Sequence, residues 1–257
     1  MLLDQNHIYL KINSESTNPI LKKIICYPHY TDEIFFERIS ELQTLKIDYF
    51  ELQGPTIIDG FHILGKGTRG LVVKAHSDGS FFALKIRRID SPRSDLINEA
   101  KIQKIVNQFG IAPKIFNSTK NFISMEFIDG LILNDYIHKF KNNSVSNLNF
   151  IVSNLLHQCF ILDINGIDHG ELSNLKKHVI INNKPNIIDF DSASLTRRAS
   201  NFTSSIQYLF IGGPFSLYFQ KIFSINVELL KSSLKNYKFN QNSDNFNNIF
   251  EILGLHL

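Results

Sequence analysis

The sequence predicts an α+β fold in two lobes, on three observations. Strand-like runs with a single helix fill the stretch from Thr56 to Ile128, helical runs with a single short hairpin follow it, and no βαβ alternation joins the two. The chain has 257 residues, enough for one large domain or two small ones, and 43% of them are apolar, enough for a core. The expected divisions are an accessory block at 1–55, a β-rich lobe at 56–128 and a compact, mostly helical lobe at 129–257.

The elements come in chain order. Ile8 to Ile12 reads as a strand, and Thr31-Asp32 caps a helix whose Ile34, Phe35, Ile39 and Leu42 make one apolar face. This block is too small to hold a core alone and is expected to pack on the residues C-terminal to it. Thr56 to Leu64 reads as one strand, and Leu71 to Ala75 and Phe81 to Ile86 as two more joined by an Asp78-Gly79 turn, a hairpin signal. A helix is expected to start at Ser91 as N-cap with Pro92 in its first turn and to stop at Gly110. After the break at Pro113, Lys114 to Phe116 and Phe122 to Phe127 form a strand pair. Asn149 to Asn165 is helical with Gly166 as its stop, Val179 to Ile181 and Asn186 to Asp189 make a short hairpin, and helix and loop fill the rest. The Asn-rich stretches at 142–149 and 240–248 read as surface loops.

Composition excludes several classes of function. Lys plus Arg (27) against Asp plus Glu (24) leaves +3, so there is no polybasic arm, and nucleic acid is not expected as a direct ligand. Cys26 and Cys159 offer neither a disulfide framework nor zinc spacing and suit a reducing cytosol, so the expected location is cytoplasmic. The opening MLLDQNHIYLKI lacks the positive start of a signal peptide. No apolar run approaches the ~18 residues of a membrane span, and Leu209 to Phe219, broken by Gly212-Gly213-Pro214, reads as a buried segment.

The chemistry starts at Gly65-Lys66-Gly67-Thr68-Arg69-Gly70-Leu71-Val72, a G-x-G-x-x-G-x-V pattern. The glycines alone also fit a dinucleotide fingerprint or an ordinary hairpin loop. A dinucleotide site needs a helix opening at the glycines, whereas here a strand continues into a hairpin, a context in which a glycine loop can fold over phosphates. Ala83-Leu84-Lys85 stands on the next strand. That lysine has solvent as its default, but Glu99 lies with Ile102, Val106 and Phe109 on an inward helical stripe. A buried carboxylate calls for a cation, and Lys85 on the neighbouring strand is the obvious one.

These motifs, with the hydrophobic strand ending Met125-Glu126-Phe127-Ile128, resemble the ATP-binding lobe of eukaryotic-type protein kinases. The resemblance implies that Met125 is the gatekeeper and that Glu126 to Ile128 form the hinge whose backbone holds adenine. Further on, His169-Gly170-Glu171-Leu172-Ser173 stands where kinases carry the catalytic loop, and Ile188-Asp189-Phe190-Asp191 resembles the Asp-Phe-Gly motif. Together they are similar to small atypical kinases: the RIO type, the kinase of the KEOPS complex, and especially a family of archaeal predicted serine/threonine protein kinases carrying His-Gly-Glu-Leu-Ser and Ile-Asp-Phe-Asp-Ser-Ala-Ser. The match spans about residues 60–195.

The resemblance implies a bilobal kinase-like fold with a minimal helical lobe that transfers phosphate from ATP to Ser or Thr of a protein or of itself. The cofactor would be Mg²⁺, with Mn²⁺ as a substitute. Asp189 would hold the metal and Glu171 would serve as the base. The Asn expected as second metal ligand is missing; Asn174 and His178 are candidate substitutes, and the simplest arrangement is one metal on Asp189 with Lys176 or Lys177 replacing some of the second metal's charge. Gly170 replaces the arginine that reads a phosphorylated loop in many kinases, and Ser200, Thr203 and Ser204 after Arg197-Arg198 are candidate self-phosphorylation sites. Two rivals stand beside this reading: a nucleotide-binding pseudokinase, and an ATPase or small-molecule kinase.

Overall fold

The computed structural model describes residues 8–13, 18–140 and 145–256. It is a mixed α+β structure that divides into two compact units, residues 1–104 with 113–127, and residues 105–112 with 128–257. Residues 1–7, which carry most of the signal-peptide reading, and 142–144 of the first Asn-rich stretch lie outside the described residues.

The first unit is built on an antiparallel sheet. Its strands are β1 (Ile8–Lys11), β2 (Tyr49–Leu52), β5 (Gly65–Lys66), β6 (Gly70–Ser77), β7 (Ser80–Arg87), β8 (Ile115–Ser118) and β9 (Phe122–Met125), in the order β1-β2-β6-β7-β9-β8 with β5 also on β6. The accessory block therefore adds two strands to the sheet and two helices, α1 (Pro19–Ile25) and α2 (Asp32–Thr44), to one of its faces. Thr31 caps α2 as expected, its Oγ1 accepting from the Ile34 amide at 3.3 Å. The stripe Phe35, Ile39 and Leu42 of α2 joins Leu21 and Ile25 of α1 and Phe50, Val73, Leu84, Ile86 and Phe122 of the sheet in one core. Side chains alternate along a strand, so the residues between these point to the other face. There Ile115 and Ile123 pack with Leu96 and Ala100 at the start of α3 (Ile97–Asn107).

Three expectations here need correction. Thr56 to Leu64 is not one strand but a hairpin, β3 (Thr56–Ile58) and β4 (Phe61–Ile63), turning at Asp59 and Gly60 with φ of 47° and 85°. Helix α3 starts at Ile97, not beside Ser91. Asp95 supplies the cap, its Oδ1 accepting from the Ile97 amide at 3.0 Å, and Ser91 instead closes a turn by accepting from the Arg93 amide. The inward stripe of α3 loses its last member too: the helix ends at Asn107 and Phe109 is 37% exposed.

The second unit is mostly helical: α4 (Leu133–Phe140), α5 (Val145–Ile164), α6 (Leu175–His178), α7 (Asn201–Ile206), α8 (Ser216–Ile222), α9 (Val227–Phe239) and α10 (Ser243–Ile252). A three-stranded sheet, β10 (Leu131–Ile132), β11 (Val179–Ile181) and β12 (Pro185–Ile187), contains the expected hairpin. Phenylalanine fills this core: Phe160 stacks on Phe246 at 4.2 Å between ring centroids, and Phe202 tilts against Tyr237 at 4.7 Å. The second Asn-rich stretch is not a loop throughout. Asn242 caps α10 by accepting from the Asn245 amide, and the helix continues through the stretch. The segment Leu209 to Phe219 is buried only in part, with Leu217 79% exposed. No helix among the described residues is long and apolar enough to cross a membrane.

Candidate functional site

The expected site residues fall into two groups, one in each unit. In the first, ladder register decides which side chains share a face. Val72 pairs with Lys85, and Lys85 with Ile123, while Ala83 pairs with Met125. Directly paired residues point to the same side, so Val72, Ala83, Lys85 and Met125 lie together on the α3 face. The expected ion pair is formed there: Lys85 Nζ donates to Glu99 Oε1 at 2.6 Å, with the side chains 8% and 5% exposed.

The glycine loop connects β5 to β6, and the Gly67 amide donates to the Gly70 carbonyl at 2.8 Å across its tip. Gly70 is tightly packed: a Cβ there would lie 3.1 Å from Lys85 Cε and 3.1 Å from the Ile86 carbonyl oxygen. Gly65 and Gly67 are different. A Cβ at Gly65 meets nothing within 4 Å, one at Gly67 meets only ordinary contacts, and neither has a positive φ. Thr68 is exposed at the tip, and Lys66 donates to the Tyr27 hydroxyl at 2.6 Å, so its ammonium is held by the accessory block. No motif in the sequence marks Tyr27 for this contact.

Met125 ends β9, its sulfur 3.8 Å from Gln103 Nε2. The Glu126 amide donates to the Lys114 carbonyl at 2.8 Å, and the Lys114 amide returns a bond to Glu126 Oε2 at 3.2 Å. Phe127 meets the edge of Phe81 at 5.9 Å. Ile128 begins the longer stretch of the second unit.

In the second unit, the β11–β12 hairpin brings the metal and base candidates together. His178 ends α6 just before β11, and its carbonyl accepts from the Ile188 amide at 2.9 Å, which places it beside the chain that leads to Asp189. Candidate ligand atoms of Glu171, His178 and Asp189 all lie within 4.8 Å of one another. Glu171 Oε2 is 3.3 Å from His178 Nε2, and Glu171 Oε1 accepts from the Ser192 hydroxyl at 2.9 Å. The Asn174 side chain is exposed, and its backbone amide donates to the Glu171 carbonyl.

Around this group the chain is tightly tied. Gly170 has φ of 87°, and a Cβ there would collide with the Arg197 guanidinium and lie 2.8 Å from the Ser192 carbonyl oxygen. Arg197 thus fills the room that Gly170 leaves, donating to Asp168 and to the Ser192 carbonyl. Neither Ser192 nor Arg197 was singled out from the sequence as a support of Glu171. His169 is fully buried, its Nε2 donates to the Ile188 carbonyl at 3.0 Å, and burial pushes its pKa down to about 4. A cavity of about 320 Å³ opens beside Gly170 and Leu172, lined also by Arg197, Arg198, Ser200 and Ser204. Thr203, by contrast, is 8% exposed and donates to the Ser200 carbonyl.

No protein-family model matches the chain. A stretch of 107 residues, 42% of the chain, is 33% identical to "Uncharacterized protein MJ1211" of Methanocaldococcus jannaschii and covers 90% of that protein. With that identity over nearly the whole of its relative, the chain belongs to the family of the M. jannaschii protein MJ1211.

Proposed function

We propose that the chain is an atypical protein kinase that transfers the γ-phosphoryl group of ATP to Ser or Thr of a protein or of itself, on a bilobal kinase-like fold. The observation that carries this reading is the buried Lys85–Glu99 pair on the face shared by Val72 and Ala83. A lysine held by a carboxylate costs desolvation and is weak evidence for stability alone. Its value lies in presenting a fixed cation to phosphates. Gly65 and Gly67 add support: neither packing nor backbone conformation demands glycine at either position, while close approach of a phosphate to the loop amides does.

Asp189 and Glu171 offer carboxylate oxygens, which suit a hard divalent cation. Such a cation would neutralise charge on the β- and γ-phosphates. Glu171, braced by Ser192, orients the acceptor hydroxyl. Phosphoryl transfer asks little covalent chemistry of the protein, so a glutamate displaced by one methylene from the usual aspartate slows the reaction without abolishing it.

One observation favours the rival reading of nucleotide binding without transfer. Asn174, the closest substitute for the missing metal-binding Asn, has an exposed side chain. The two readings separate in an assay of labelled-phosphate transfer and ATP turnover with Glu171→Ala and Asp189→Ala. The kinase reading expects a large loss in both variants; wild-type levels in both variants exclude it.

A further inference from the structure

We infer that Glu171, His178 and Asp189 form a single divalent-metal site with one imidazole and two carboxylate ligands, which takes Mn²⁺ in preference to Mg²⁺. The inference rests on the phosphoryl-transfer reading for its purpose but not for its geometry.

The three candidate ligand atoms lie within 4.8 Å of one another. Neighbouring ligands around a cation with bonds of about 2.1 Å stand roughly 3.0–3.4 Å apart. The 3.3 Å between His178 Nε2 and Glu171 Oε2 matches that edge and is longer than a strong charge-assisted hydrogen bond of about 2.7–2.9 Å.

A second observation is independent of the carboxylates. The His178 side chain is 8% exposed, and its Nδ1 is buried without a hydrogen-bond partner among the described residues. The polar group that its Nε2 faces is Glu171. Ligation through Nε2 leaves the proton on Nδ1. The neighbouring ring is His169, edge to face at 5.2 Å, whose own Nε2 proton goes to the Ile188 carbonyl.

The ligand set decides the metal. Carboxylates accept Mg²⁺ and Mn²⁺ alike, but imidazole favours the later, softer ion, and Mg²⁺ dehydrates reluctantly. The two oxygens of Glu171 then have separate tasks. Oε2 meets the cation, while Oε1, already accepting from Ser192, keeps a lone pair for the acceptor hydroxyl. With a cation on its carboxylate, Glu171 is a weak base and acts by orientation.

The test is Mn²⁺ binding to the full chain without nucleotide, followed by electron paramagnetic resonance with detection of nitrogen-14 modulation. The expected result is one Mn²⁺ per chain with an imidazole-nitrogen signal, displaced by Mg²⁺ only at about tenfold or greater excess. His178→Asn is expected to lose the nitrogen signal and weaken Mn²⁺ at least tenfold while leaving Mg²⁺ affinity nearly unchanged. Absence of stoichiometric Mn²⁺, or bound Mn²⁺ without nitrogen modulation in the wild type, overturns the site and needs no folded variant to do so. ATP binding measured separately distinguishes the two claims. Nucleotide binding without nitrogen-coupled Mn²⁺ sinks the metal site alone, and nitrogen-coupled Mn²⁺ without nucleotide binding sinks the kinase reading alone.

Discussion

Gly70 makes room for Lys85: the lysine stem crosses the glycine so closely that an added Cβ would sit 3.1 Å from Lys85 Cε and 3.3 Å from Lys85 Cγ. The last glycine of the loop thereby fixes the path of the side chain that the proposed function relies on most. Gly70→Ala is expected to cost about 1–3 kcal/mol of stability through overpacking and to displace the ammonium. Gly65→Ala meets no protein atom, so its stability is expected within about 0.5 kcal/mol of wild type while nucleotide affinity falls. Urea denaturation and nucleotide titration on both variants check the contrast; equal effects on both quantities would contradict it.

Lys85 and Glu99 are both buried, so removing one partner strands the other. Lys85→Met alone is expected to cost about 3–5 kcal/mol, and adding Glu99→Leu to recover most of that loss. A double-mutant cycle by urea denaturation measures the coupling. Additive losses in the cycle would show that the pair does not interact as the 2.6 Å contact requires.

Two buried groups of the second unit oppose each other with pH. Burial pushes the Asp163 carboxyl from 3.8 up to about 6, although Asn201, Phe202 and Tyr237 donate to it. Burial pushes the His169 imidazole from 6.5 down to about 4. The contribution of Asp163 is full below pH 3.8 and is lost as pH rises through about 6. The contribution of His169 is full above pH 6.5 and is lost as pH falls through about 4. Each is on the order of 3 kcal/mol, so together they nearly cancel between about pH 4 and 6. His169→Phe is expected to unmask a decline in stability as pH rises through that window, and Asp163→Asn a rise. Urea midpoints at four pH values settle the sign; variant profiles parallel to wild type would refute the assignment.

Much of this was legible in the residues, and the failures have physical causes. The Lys85–Glu99 pair was readable because the helix period put Glu99 on an inward face, where a buried carboxylate calls for a cation, and Lys85 stood on the neighbouring strand. The Asp78-Gly79 turn was readable too, yet Asp59-Gly60, the same dipeptide with the same positive φ at both residues, is masked by the apolar run around it. The start of α3 was misplaced because Ser-Pro is a strong local signal, and Asp95, four residues on, supplies the cap instead. The group formed by Glu171, His178 and Asp189 was legible only as separate candidates, since its closure depends on hairpin register. Arg38 gave no signal at all. It sits on the buried stripe of α2, 1% exposed, where its guanidinium donates to the Ile25 carbonyl and to Asn121 and burial lowers its pKa to about 10.

The most direct measurement of the central claim is calorimetric titration of a non-hydrolysable ATP analogue, with Mg²⁺ or Mn²⁺, into the wild type, Lys85→Ala and Asp189→Ala. The account predicts one nucleotide per chain, with affinity falling at least tenfold in each variant while the fold is kept. No binding to the wild type, or equal affinity in all three proteins, would contradict it.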